Sequence, residues 1–284
     1  MLFRSNGNLE AAADMELANA ITLLLQKTNT VAEDGLRLER KLLSILKSGF
    51  DISSNFGELS TFEFTHVTSG VTYVYVPGGE FSMGLSEEEL SQAESIYSPC
   101  PISPEEMRPV HKATVSSFLI AKTPLTNIQA NKIGVSVEGE SNYPAFFSRH
   151  DADDVLNRIE ASFPTEQQWE FICRSGTQSL FCFGDRLPEE SELEKWLDWD
   201  ISLPSLKVNQ FGVGGLFFGE WCRDHYRDSY TQHSQPTEDY VIRGGGAYFW
   251  PWQSEEWVWC ISAMRMPSSD LLDGTAVVRP VIDL

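Results

Sequence analysis

Five cysteines, Cys100, Cys173, Cys182, Cys222 and Cys260, are the residues of this 284-residue chain best suited to redox or metal chemistry. Two thiolates held together bind Cu(I) well, because ligand and metal are both soft. The five are odd in number, widely spaced and without a CxxC. That pattern argues against a zinc knuckle or a disulfide framework and for reduced, buried thiols. Cys260 raises the question most sharply, because it stands between Trp259 and an arginine in Val258-Trp259-Cys260-Ile261-Ser262-Ala263-Met264-Arg265. It is either half of a thiol pair or a small buried hydrophobe. No second thiol lies near it in sequence, so we expect packing. Cys260 remains the single candidate catalytic residue.

The segment before it suggests binding. Residues 247–259, AYFWPWQSEEWVW, hold four Trp, one Tyr and one Phe in 13 positions. Aromatic faces with acids between them suit a cationic or amphipathic ligand. The candidate ligand-binding residues are therefore Tyr248, Trp250, Trp252, Glu255, Glu256, Trp257, Trp259 and Arg265. Asp198 and Asp200, in WLDWD, could supply oxygen ligands to calcium. The five histidines, His66, His111, His150, His225 and His233, form no HxxxH and no His-x-Asp/Glu pair.

The composition narrows the partners. With 41 acids against 21 bases the formal charge is −20, a field that repels phosphate backbones and anionic lipid. Nucleic acid and membrane are not expected partners. The start, MLFRSNGNLEAAADMEL, has no basic region followed by an apolar one, and no run approaches the ~18 apolar residues of a membrane span. A cytoplasmic protein is expected.

These residues need elements to position them. Leu9, Ala13, Leu17, Ala20, Ile21, Leu24 and Leu25 recur at helical spacing. Leu36, Leu38, Leu42, Leu43, Ile45 and Leu46 form a second run, stopped by Gly49. The expectation is an N-terminal helical hairpin over 1–58, able to dock a partner or a second copy through residues 9–48, followed by one domain over 59–284. In the second domain TFEFTHV and VTYVYVPGGEFSMG alternate as strands. Asp153 to Ala161 and Glu166 to Arg174 read as helices, with Thr165 as N-cap and Gln168 as its capping-box partner. Residues 85–106, with six Glu and no base, read as a surface loop. Arg243 and Arg265 are candidates to pair bidentately with Glu170 or Glu220.

Several motifs in order carry a resemblance. VPGGEFSMG (76–84), RPVHKATVSSFLIAKTPLTNIQ (108–129), FPTEQQWEFICRSG (163–176), FCFGD (181–185), NQFGVGGLFFGEWCRDHY (209–226), VIRGGGAYFW (241–250) and CISAMR…VVRPV resemble the formylglycine-generating-enzyme (sulfatase-modifying factor) family. That family includes the ergothioneine-synthase C-terminal domain and PvdO-like proteins. The resemblance implies an α+β fold, C-type-lectin-like, loop-rich, with a small twisted antiparallel sheet. It also implies where chemistry would lie. The family's copper-dependent oxidases use two C-terminal cysteines; read through Ala263-Met264-Arg265, those positions hold Trp257 and Ser262. The family's calcium-binding asparagine before Trp-Glu-Trp has no counterpart in FFGEWC. Its iron enzymes carry histidine ligands on a separate helical domain.

The expectation is thus a non-oxidase member, a binding or accessory module or pseudoenzyme presenting a C-terminal aromatic loop to a peptide, protein or small molecule. The alternative is a metal-dependent tailoring oxidase, PvdO-like or copper-dependent, acting on a peptide or natural product. Calcium is the one metal the acidic stretch would suit; copper and iron are not expected.

Overall fold

A computed structural model describes residues 40–45, 49–53, 63–139, 141–187, 208–245, 254–268 and 276–284. The strands are β1 (Phe50–Ser53), β2 (Glu63–His66), β3 (Thr72–Val76), β4 (Gly79–Met83), β5 (His111–Val115), β6 (Phe118–Ala121), β7 (Phe146–Phe147), β8 (Glu220–His225), β9 (Tyr240–Arg243), β10 (Arg265–Ser268), β11 (Ala276–Val277) and β12 (Val281–Asp283). The helices are α1 (Glu87–Ile96), α2 (Asn127–Lys132), α3 (Arg149–Arg158) and α4 (Glu166–Arg174), with 3-10 turns at Pro104–Met107 and Ser254–Cys260. Among the described residues no helix is long and apolar enough to cross a membrane.

Helices and mainly antiparallel sheets share one chain, as the α+β expectation required. There is more sheet than one small unit, however. One five-stranded sheet runs β1-β2-β3-β6-β12 and a second runs β10-β9-β8-β11-β7, while β4 and β5 pair alone. Within the second sheet β11 lies parallel to β8; the other pairs are antiparallel. The first sheet is covered on both faces. Tyr73 and Tyr75 of β3, with Leu119 and Ala121 of β6, enter one hydrophobic cluster. Their alternates Val74, Val76, Phe118 and Ile120 enter another. VTYVYV, expected to alternate as a strand, thus places both of its alternating sets against apolar clusters, with β6 beside it doing the same.

α4 spans Glu166–Arg174 as expected. Thr165 accepts from the Gln168 backbone and Gln168 returns a bond to the Thr165 N–H, which satisfies two end groups of the helix. α3 starts earlier than expected, because Ser148 caps it through Asp151.

The acidic stretch 85–106 is not a plain loop. Ser86 and Glu89 form a second capping box and start α1. The three glutamates of its first turn also favour the positive end of the helix dipole. Glu89 then turns inward, 3% exposed, to meet Arg174.

Of the expected N-terminal hairpin over 1–58, residues 1–39, 46–48 and 54–58 lie outside the described part. Residues 40–45 are helical, and Leu42 is fully buried in the cluster beneath β2 and β3. The first sheet crosses the expected 58/59 boundary, since β1 pairs with β2 from Phe50 opposite His66 to Ser53 opposite Glu63.

Candidate functional site

The centre of the molecule is built on one face of α4. Glu166, Glu170 and Arg174 recur every four residues, so a single helix turns two carboxylates and a guanidinium the same way. Arg265, at the start of β10, grips Glu166 by two hydrogen bonds of 2.6 and 2.9 Å. Arg243, at the end of β9, spans both acids: it donates to Glu166 at 3.3 Å and to the far oxygen of Glu170. The near oxygen of Glu170 accepts from Arg174 at 2.8 Å and from the Gly84 N–H at 2.9 Å. Arg174 continues to Glu89 at 2.7 Å. Beside them Arg279 holds Glu220 bidentately at 2.6 and 2.8 Å, and Trp169 Nε1 donates to the same carboxylate at 3.0 Å.

All eight charged side chains are buried, and each acid has at least one guanidinium partner. Burial opposes ionisation of Glu170, but Arg243, Arg174 and the Gly84 N–H outweigh it and hold the carboxyl below its usual value. Burial pushes the Glu166 carboxyl up against the pull of Arg265 and Arg243. The expectation that Arg243 and Arg265 pair with acids therefore holds: Glu170 is an expected partner, met by Arg243, and Glu166 is one the sequence reading did not name. Arg265 takes Glu166, Arg243 takes Glu166 and Glu170, and Glu220 belongs to Arg279, which sequence reasoning did not single out. Its only signal was an arginine in VVRPV.

The glycines of Arg243-Gly244-Gly245 are needed where the chain passes Trp169. Gly244 has φ +87°, and a Cβ there would stand 2.5 Å from the Phe218 carbonyl and 2.7 Å from the Trp169 ring.

The C-terminal segment packs onto this centre. The 3-10 turn Ser254–Cys260 buries Trp257 to 2% exposure, edge-on to Phe181 with ring centroids 5.6 Å apart. Trp259 stays half-buried at the edge of the same cluster. Glu255 and Glu256 lie on that turn. Tyr248, Trp250 and Trp252 are outside the described residues, as are Asp198 and Asp200. Arg265, expected among the ligand-binding residues, is 2% exposed and committed to Glu166. Trp257 is likewise a packing residue here. The two stand inside the protein because the turn packs on Phe181 and the start of β10 is tied to α4 through Glu166.

Cys260 is 1% exposed and its thiol faces the Phe217 carbonyl at 3.9 Å. Burial, reinforced by nearby Cys173, pushes that thiol far above its ordinary value, the opposite of what a nucleophile or a metal ligand requires. The paired-thiol copper site implied by the sequence resemblance does not fit either. Trp257 is core, and Ser262 Oγ donates to the Ser179 carbonyl at 3.1 Å. Glu220 is fully engaged by Arg279 and Trp169, which leaves no carboxylate there for calcium. Among the described residues no group of three or more His, Cys, Asp or Glu is placed to hold a metal ion.

Two features escaped the sequence reading. One is an open cleft of about 560 Å³ between α2, β7 and the start of α3, lined by Asn127, Val137, Glu138, Tyr143, Phe146 and Asp151. The other is the apolar cluster that Cys173 enters with Val74, Val241 and Val281, with Cys182 packed against it. Neither has a local signature, since each joins segments distant in sequence.

No protein-family model matches the chain, and no curated protein sequence matches it. Solved structures do. PvdO from Pseudomonas aeruginosa superposes with a TM-score of 0.58 at 18% identity, over 78% of this chain and 98% of its own. Treponema denticola variable protein 1 superposes with a TM-score of 0.53 at 15% identity, over 78% of this chain and 99% of its own. The chain thus has the formylglycine-generating-enzyme-like fold that its motifs led us to expect.

Proposed function

We propose that this protein is a ligand-binding or accessory module on a formylglycine-generating-enzyme-like scaffold, presenting residues 247–259 to a peptide, protein or small molecule. The observation that carries this reading is the different placement of two tryptophans on one 3-10 turn. Trp257 is sunk in the core against Phe181, while Trp259, two positions on, remains half-buried at the edge. A turn anchored by one aromatic is a rigid mount for its neighbours, and rigidity lowers the ordering cost of binding. Glu255 and Glu256 among the tryptophans, on a chain of charge −20, favour a cationic or amphipathic ligand. The buried acids and arginines around α4 neutralise one another, which fits a structural centre.

A metal-dependent tailoring oxidase acting on a peptide or natural product is the second reading, favoured by the fold shared with PvdO. One experiment separates the two. Tryptophan fluorescence is titrated with a lysine-leucine repeat peptide in the wild type and in Trp259→Ala, alongside elemental analysis of the wild type and Cys260→Ser. Expected are saturable binding, about tenfold or more weaker in Trp259→Ala at unchanged melting temperature, and no stoichiometric transition metal. Stoichiometric copper or iron, lost in Cys260→Ser, overturns the binding reading.

A further inference from the structure

The cleft beside α2 stands apart from residues 247–259, because every residue lining it falls between Asn127 and Asp151. Its walls are fastened in place. One wall, 141–144, is held against the start of α2: the Asn127 N–H donates to the Tyr143 carbonyl at 3.0 Å and the Ile128 N–H to the Ser141 carbonyl at 2.8 Å. Another, 135–139, is held at the end of α2. The Val135 N–H donates to the Ala130 carbonyl at 3.0 Å, and the Asn131 side-chain amide to the Val137 carbonyl at 3.3 Å. Gly139 lets this segment approach Asn127 closely. Its φ is +123°, and a Cβ there would stand 2.8 Å from Asn127 Nδ2. The start of α3 completes the cleft, where the Ser148 hydroxyl donates to the Asp151 carboxylate at 2.7 Å.

The lining divides by chemistry. Tyr143 and Phe146 are half-buried aromatics, with Val137 a half-buried aliphatic beside them. Glu138 and Asp151 are exposed carboxylates, and no Lys, Arg or His joins them in the lining.

We propose that this cleft binds a small organic amine, its ammonium taken by Glu138 and Asp151 and its apolar body by Tyr143, Phe146 and Val137. The volume of about 560 Å³ lies within the roughly 300–1,000 Å³ of small-molecule sites. Walls tied by backbone bonds before a ligand arrives lower the ordering cost of binding. The sign of the ligand follows from the lining. Two acids without a base repel anions, and the chain's charge of −20 draws cations toward the surface. Aromatic rings beside the carboxylates add attraction for an ammonium. A bare divalent ion is a poorer match, since two carboxylates fall well short of the roughly six to eight oxygens that calcium takes. The site does not depend on the C-terminal aromatic segment, so either can fail without the other.

The test is isothermal titration calorimetry of the full chain with tryptamine and with indole-3-propionate, which carries a carboxylate on the same ring and arm. Expected is saturable binding of about one tryptamine per chain and none of indole-3-propionate at the same concentrations. Glu138→Gln, at an exposed position, should keep the melting temperature and weaken tryptamine binding about fivefold. Val137→Trp, which fills the cleft from its wall, should abolish it. Absence of saturable tryptamine binding, equal binding of the two ligands, or full affinity in Val137→Trp overturns the proposal. Affinity kept in Glu138→Gln but lost in Trp259→Ala would place the amine on residues 247–259 and overturn it too.

Discussion

Arg265 binds Glu166 through two parallel hydrogen bonds, Nη2 to Oε1 at 2.6 Å and Nε to Oε2 at 2.9 Å, across 99 residues of sequence. The pair ties the start of β10 to the first turn of α4. It is backed by Tyr226 and Tyr230, whose rings each lie 4.7 Å from the Arg265 guanidinium. Removing one partner would leave the other charge buried and alone. Arg265→Ala should therefore cost about 3–5 kcal/mol in urea unfolding. Arg265→Lys should recover only part of it, because an ammonium cannot make the fork. A variant as stable as wild type would show that the pair is dispensable.

Thr165 should be worth less, and in a different way. Its hydroxyl satisfies one backbone N–H at the start of α4. Thr165→Ala should cost ~1 kcal/mol, measured by the same unfolding curve. The denaturant slope should stay unchanged, since the core is untouched.

Gly244 should tolerate no side chain. At φ +87° an added Cβ meets the Phe218 and Leu216 carbonyls and the Trp169 ring, and two of those three atoms are backbone that cannot turn aside. Gly244→Ala should lose the near-ultraviolet dichroism of packed tryptophans. Retention of that signal would mean that β9 and the 216–218 segment can separate.

Acid should destabilise the protein in two stages. Burial holds the His66 imidazole below its ordinary 6.5, only partly offset by Glu160. The unfolded chain therefore takes up that proton first, and stability begins to slip as pH falls below 6.5. Glu170 is held below 4.5, so the stability it contributes is present above that pH and is lost as pH falls through its folded value. Glu166, raised by burial, titrates in the opposite sense. Unfolding free energies measured across pH 3–8, in order-of-magnitude steps of proton concentration, should show both declines. His66→Asn should remove the upper one and Glu170→Gln the lower; an unchanged profile in either variant would exclude that residue.

Cys260 should behave as packing. A maleimide should label it only after unfolding, because it is 1% exposed and its thiol resists ionisation. Cys260→Ala should cost on the order of 1 kcal/mol for the lost buried atom. Rapid labelling of the native protein would place Cys260 at an accessible site.

What the sequence determined by itself is what short spacing determines. The Thr165–Gln168 box fixed the start of α4, and the alternation in VTYVYV announced β3. The ordered motifs from VPGGEFSMG to VVRPV pointed to the fold. Each depends on residues within a few positions of one another, where a helix or strand period is readable. Ser86 and Glu89 carried the same kind of signal, masked in the reading of 85–106 by acidic charge that a surface loop would also show.

Only the tertiary structure decided which charge meets which. Glu166, Glu170 and Glu220 were legible as acids and Arg243, Arg265 and Arg279 as bases, but their pairing spans 59 to 99 residues and follows the path of the chain. The same holds for Trp257, an aromatic like its neighbours in sequence yet enclosed against Phe181. Burial and long-range contact belong to the assembled sheets and helices. No local period encodes them, because the energy that selects them appears only when the segments have already met.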